Sequence, residues 1–190
     1  MSDNFVSGGL LGHRHKVFVS FHHGNDWSYR LAFEQLFANI HDVMVSHSVQ
    51  IGEIPEFLTT ETVRQKIRDE YLRDSTVTVV LIGSQTWQRR HVDWEIASSI
   101  RNTQYNPRSG LMGIVLPTYP RLDPTKYNKY TIPPRLSDNI ECGFASIHNW
   151  NANPSVVQGW IHEAFQQRNQ VNPDNSYPAF ANNRFGNQWQ

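Results

Sequence analysis

Trp87, His91 and Glu95 recur every fourth residue, which on a helix stacks an indole, an imidazole and a carboxylate along one flank. Val92, Ile96 and Ile100 recur at the same spacing and mark the buried stripe beside them. The flank therefore lies where the helix leaves the core for a cleft. A carboxylate shouldered by apolar groups there is a candidate acid, base or charge stabiliser. The competing reading is an ordinary half-exposed glutamate, paired with Arg89, Arg90 or a neighbour.

The elements around this helix predict how the flank is held. Thr76–Ile82, TVTVVLI, is a β-branched run without Gly or Pro, as a central strand covered on both faces requires. Gly83-Ser84-Gln85-Thr86 breaks it, with Ser84 or Thr86 available to cap a helix that starts at Trp87. Lys16–Phe21 reads as the first strand. His22-His23-Gly24-Asn25-Asp26 follows as a turn with Asn25 or Asp26 as cap, then a helix with Tyr29, Phe33, Leu36 and Phe37 on its apolar face. Trp27 and Leu31 point elsewhere and mark either a second contact surface or packing under a loop.

Ile40–Val45 is a second strand, followed by a loop over Ser46–Leu58 that contains Gly52, Glu53, Pro55 and Glu56. Thr59 or Thr60 caps a helix stepping through Val63, Ile67 and Tyr71. Asn102–Gly110 is a turn-rich link to a fourth strand at Leu111–Leu116. Pro117–Arg135 is a long Pro- and Tyr-rich connection of the kind that is functional or mobile. Gly143–His148 is a fifth strand, with Cys142 beside it as a small buried hydrophobe. Asn153-Pro154 opens a last helix, whose core face is Val157, Ile161, Ala164 and Phe165.

Residues 1–15 read as a flexible lead, 16–170 as the domain, and 171–190 as a tail. That tail, rich in Asn, Gln and aromatics, is either poorly ordered or an arm that docks on another surface. Five strands alternating with helices predict an α/β, flavodoxin-like three-layer sandwich on a parallel sheet of order 2-1-3-4-5. In such a sheet the ligand crevice lies beyond the carboxyl ends of strands 1 and 3, between Phe21–Asn25 and Gly83–Trp87.

Composition narrows the function classes. The 17 basic and 17 acidic side chains cancel, so no global field draws the chain to nucleic acid or anionic lipid. One cysteine rules out an intramolecular disulfide and fits a reducing, cytoplasmic setting. The first fifteen residues lack a signal peptide's basic and apolar regions, and no run reaches membrane-spanning length.

Three motifs in order, Val17-Phe18-Val19-Ser20-Phe21, the Gly52/Pro55 loop, and Leu81–Thr86 with Arg89-Arg90 and Glu95-Ile96, resemble a TIR domain. The resemblance spans about Lys16 to Phe165 and is to the TIR-like domains of Thoeris-type bacterial antiphage systems. It implies cleavage of NAD at its nicotinamide–ribose bond, with NAD as substrate and no cofactor. The product would be an ADP-ribose-derived signal, in many members cyclic, that activates a partner effector. The family's catalytic glutamate maps onto Glu95. The general Trp-Cys-x-x-Glu pattern is replaced by His91-Val92-Asp93-Trp94-Glu95, which leaves the stacking partner to Trp87 or Trp94.

With that chemistry in view, Phe18, Phe21 and Trp87 are expected to form a dry aromatic pocket that favours cyclisation over hydrolysis. Ser20, Asn25, Asp26 and Ser84 are placed to bond ribose or phosphate, although each also suits a turn or cap. His22 and His91 complete the substrate-binding set, and Arg89 or Arg90 is placed for the pyrophosphate. A metal is not expected, since His13-x-His15 and His22-His23 lack a carboxylate or Cys framework. Phe21-His22-His23 also lacks the acidic residues of a phosphoacceptor receiver domain. The rival to an enzyme is a non-catalytic adaptor that self-associates, with the acidic 46–58 loop stacking against basic 117–135.

Overall fold

The structure, a computed structural model, describes residues 15–39, 43–46, 59–103 and 106–190. Residues 1–14 of the expected lead and 47–58 of the loop carrying Gly52, Glu53, Pro55 and Glu56 lie outside the described residues. The chain alternates β1 (His15–Ser20), α1 (His23–Phe37), β2 (Val43–Ser46), α2 (Thr60–Lys66), β3 (Val77–Ile82), α3 (Arg90–Ser99), β4 (Gly110–Val115), α4 (Pro134–Glu141), β5 (Ala145–Asn149) and α5 (Pro154–Gln167). The five strands are parallel in the order β2-β1-β3-β4-β5, as the alternating pattern predicts. Parallel neighbours need long crossovers, and the helices supply them while covering both faces.

Strand alternation sorts the core into layers. Val17, Val19 and Phe21 point with Val77, Val79 and Leu81 toward α1 and α5. Val80 and Ile82 point the other way, toward Val92, Ile96 and Ile100 of α3 and Leu136 of α4. Phe18 joins a third cluster with Val63, Ile67, Leu72 and Trp94 under α2. All six β3 residues are buried, which is why the run is apolar on both faces apart from Thr78 rather than alternating. Gly110 admits α5 closely, because a Cβ there would sit 2.1 Å from the Ala164 carbonyl oxygen.

Several local expectations change. Thr86–Gln88 forms a single 3-10 turn, Arg89 is extended, and α3 starts only at Arg90. Trp87 is therefore not on the helix of His91 and Glu95, and the three-residue stack does not form. Neither Ser84 nor Thr86 caps α3. At α1 the cap is His22, whose Nδ1 accepts from the Asn25 amide at 3.0 Å, in place of Asn25 or Asp26. Thr59 caps α2 and Asn153 caps α5, as expected.

Pro117–Arg135 is not structureless throughout. A 3-10 turn at Lys129–Thr131 leads into α4, whose start at Pro134 uses the preset φ of a proline in the first helical turn. Eight residues give too few apolar repeats for that helix to be read from periodicity. Cys142 closes α4 and is exposed, which corrects the buried position expected for it.

Residues 171–190 lie along the outer side of α3 and α4. Near the start of α3 the Gln88 carbonyl accepts from the Arg184 amide, and the Gln88 side-chain amide donates to the Gly186 carbonyl. Trp189 donates from its amide and indole to the Tyr130 and Ile132 carbonyls.

Candidate functional site

Glu95 sits in the second turn of α3 on the face that meets the carboxyl end of β1. Ser20, the last residue of β1, donates its hydroxyl to Glu95 Oε2 at 2.5 Å. Oε1 is buried with no hydrogen-bond partner. The residue is 0% exposed. Burial pushes its carboxyl up to about 8, a shift that the Ser20 hydroxyl opposes. At neutral pH this is an uncharged acid with one oxygen left unsatisfied.

His91 stands one turn earlier on the same helix. Its Nε2 lies 3.1 Å from the Phe21 carbonyl oxygen, so that nitrogen carries the proton and donates. Burial lowers the imidazole to about 4, with the carbonyl bond opposing and the nearby His23, His22 and Arg89 adding to the fall. His23 meets His91 edge-on at 5.3 Å and stacks on Phe21 at 4.4 Å. His22 is likewise held below its usual value, by burial first and by Arg89 second. Burial thus disfavours the charged form of Glu95, His91 and His22 alike.

The loops after β1 and β3 meet over this region. Asn25 Nδ2 donates to Gln85 Oε1 at 3.1 Å, a single exposed bond across the crevice. Below it Asp26, at a break in the helical geometry of α1, is completely buried. It accepts from Thr118 at 3.1 Å and Thr86 at 3.4 Å, and burial raises its carboxyl above the ordinary range. Gly83 makes this possible, since a Cβ there would lie 2.3 Å from both carboxylate oxygens of Asp26. Ser84 sits in the same loop, partly exposed.

The structure thus brings Ser20, His91 and Glu95 together, with His22, Asn25, Asp26 and Ser84 in the adjoining loops. It does not assemble the expected aromatic pocket. Phe18 and Phe21 leave β1 on opposite faces of the sheet. Trp87 is buried on the 3-10 turn before α3. Trp94, one residue from Glu95, shares the cluster of Phe18 instead and donates its indole N–H to the Phe180 carbonyl at 2.9 Å. Arg89 donates to Gln88 Oε1, and Arg90 lies over the Trp94 ring at 5.2 Å.

Gly83, Gln85 and Thr86 lie in the loop that the sequence places at the crevice, but their contacts with Asn25 and Asp26 are not legible there. Thr118, 92 residues from its Asp26 partner, escapes sequence reasoning altogether. An open cleft of about 320 Å³ lies elsewhere, at the ends of β4 and β5, lined by Val115, Pro117, Tyr119, Arg121, Asn149 and Trp150 among others. This cleft and the perturbed carboxylate are at different places along the sheet's carboxyl edge. Of the two places, that of the carboxylate carries the perturbed ionisable group, and it is the candidate for chemistry.

Among the described residues no group of three or more His, Cys, Asp or Glu is arranged to hold a metal. No described helix is long and apolar enough to cross a membrane. Residues 18–121, more than half of the 190-residue chain, match the family described as the Thoeris protein ThsB, TIR-like domain. No curated protein matches the chain.

Proposed function

This chain belongs to the Thoeris ThsB TIR-like family, with the TIR-domain antiphage role that membership carries, and from that premise we propose that it cleaves NAD with Glu95 as the catalytic carboxylate. The observation that carries the proposal is the unsatisfied, fully buried acid beside Ser20, at the carboxyl ends of the two central strands. Doubly wound sheets bind ligands at that switch point.

The glycosidic C–N bond breaks with its electron pair passing to the pyridinium nitrogen, so neutral nicotinamide leaves without needing a proton. Positive charge develops on the ribose C1′ and O4′, where a carboxylate stabilises it. Glu95 is neutral when the site is closed, but a bound pyridinium cation favours its ionised form, and the proton is released to solvent on binding. Ser20, which already donates to Oε2, then holds the carboxylate in place. Capture of C1′ by water gives ADP-ribose, with loss of the water's proton. Capture by an adenine nitrogen or a ribose hydroxyl of the same molecule gives a cyclic isomer, with loss of that group's proton where it carries one.

Because Glu95 is sealed, a sugar reaches it only when this end of the sheet opens. The lone exposed Asn25–Gln85 bond is a weak tie across it, worth about 1 kcal/mol. In this reading His22, Asn25, Asp26, Ser84 and His91 contact the dinucleotide, and the product activates an effector protein in the cytoplasm.

A second reading has its own support. A sealed, protonated glutamate also suits a purely structural acid, and Trp27 and Leu31 are 50% and 41% exposed on α1. That combination fits a non-catalytic module working by self-association. Incubation with NAD, alone and with an infected-cell lysate, separates the two by following nicotinamide release for wild type and Glu95→Gln. Release that Glu95→Gln abolishes while circular dichroism is unchanged supports the enzyme. Equal release from both proteins removes Glu95 from the chemistry, and silence of the wild type under both conditions favours the adaptor.

A further inference from the structure

Glu95 faces the sheet, but Arg90, Asp93, Trp94 and Ala97 of the same helix bond to the last twenty residues of the chain. Asp93 Oδ1 takes the Arg135 Nε–H at 3.0 Å, and its Oδ2 takes the Phe180 amide at 2.9 Å. Trp94 donates to the Phe180 carbonyl. Arg135, 1% exposed, spends its remaining donors on Asn175 and on the Tyr177 carbonyl at 2.6 Å. Asn175 in turn donates to the Ala97 carbonyl at 3.0 Å. The amide of Arg90, at the start of α3 where no local side chain caps, is taken by Asn183 Oδ1 at 3.0 Å.

These bonds hold α3 at its first turn, its middle and its second half, all from one side. The other side presents Glu95 to Ser20. A helix pinned in this way has little freedom to slide or roll, and the 2.5 Å contact between Glu95 and Ser20 depends on that placement. Arg135 and the terminal segment also lie outside residues 18–121 of the family match, so the strap is an addition to the matched stretch.

We propose that Arg135 and the segment 174–186 are a positioning device for Glu95, acting through Asp93, Trp94 and the amino end of α3. Arg135 is a positioning residue and touches no substrate. The inference rests on the catalytic reading of Glu95 for its kinetic consequence, but its structural half stands without it. The strap keeps α3 pressed on the sheet, so Glu95 stays dry and its proton tightly held. The groups facing Glu95 from the other elements are Ser20 on β1 and, through His91, the imidazoles of His22 and His23. The strap side contributes the Asp93–Arg135 pair.

The test uses the full chain with Arg135→Lys, which keeps a cation near Asp93 but cannot fork to Asn175 and Tyr177, and with Asn183→Ala, which removes only the borrowed cap. Two readouts are followed in each folded variant. One is kcat and KM for nicotinamide release from NAD. The other is the titration of the Glu95 side-chain carboxyl by 13C NMR, assigned with Glu95→Gln, which needs no substrate. Expected is a kcat about tenfold lower at nearly constant KM, with the Glu95 midpoint moving from near 8 toward the ordinary 4.5. A role in stability alone would lower Tm and leave both readouts where they are, and that result in both variants would overturn the proposal. If wild type releases no nicotinamide, the NAD reading fails, and the carboxyl titration still decides the positioning claim.

Discussion

Asp93 and Glu95 are two residues apart on one helix, both sealed from solvent, and chemically almost the same. Asp93 faces the terminal segment and has each oxygen occupied, one by a guanidinium and one by a backbone amide. Glu95 faces the sheet, with one oxygen on a serine hydroxyl and the other on nothing. A buried charge with a cation and an amide is satisfied and becomes structural. A buried acid without a cation keeps its proton and stores an unmet electrostatic demand, which a cationic substrate can meet. The difference teaches that burial by itself does not single out a candidate for chemistry; burial with an unfilled partner does.

The sharpest way to break that contrast is Glu95→Gln. Nicotinamide release is expected to fall by about a thousandfold or more, with the fold intact, because the amide fills the same space without a charge to offer. Asp93→Ala should do the reverse, acting on stability first. It leaves the Arg135 guanidinium buried and uncompensated, a loss of about 3–5 kcal/mol, and at this chain length that lowers Tm by roughly 10 °C. If thermal melts show Asp93→Ala as stable as wild type, the claim that this carboxylate is the structural one fails.

Ser20→Ala is a smaller perturbation of the Glu95 side alone. It takes away the only hydrogen bond to the carboxyl among the described residues, and since that bond lowers the Glu95 value, the midpoint should rise further. Steady-state kinetics should show kcat down by about tenfold, and a carboxyl titration checks the direction.

The mildest effect is on stability against pH. Glu95 has a folded value near 8, above its ordinary 4.5, so its contribution is complete below 4.5 and is lost as pH rises through 8. His91 runs the other way. Its folded value of about 4 lies below 6.5, so its contribution is complete above 6.5 and is lost as pH falls through 4. The two slopes oppose between 4.5 and 6.5, and only the Glu95 decline continues above that. Melts from pH 6 to 9 should show Tm falling in wild type and a flatter profile, shifted by a few degrees, in Glu95→Gln. Equal slopes in both proteins would mean that Glu95 is not the group that titrates.

Much of the frame was legible before any coordinates. The largely apolar β3, the Val92–Ile96–Ile100 stripe and the Asn153-Pro154 helix start are local patterns, and each is where the sequence puts it. The placement of Glu95 on α3 beside the Val92–Ile96–Ile100 stripe was legible because helical period is local, but its complete burial was not, since the sequence put that flank at a cleft. The Trp87 stack was misread, because the break at Arg89 leaves no mark in composition. α4 was missed for a related reason, since eight residues after a proline pair carry too little periodicity.

The sequence by itself determined the strands, the helices other than α4 and the turn of α3 that bears the candidate acid, because period and β-branching are set by neighbours a few residues away. Their alternation implied the parallel sheet. Only the tertiary structure decided which acid is satisfied. The partners of Asp93 lie 42 and 87 residues along the chain, and the single partner of Glu95 lies 75 residues back. Pairing and desolvation depend on what the fold brings together from distant positions, and on that a helical period carries no information.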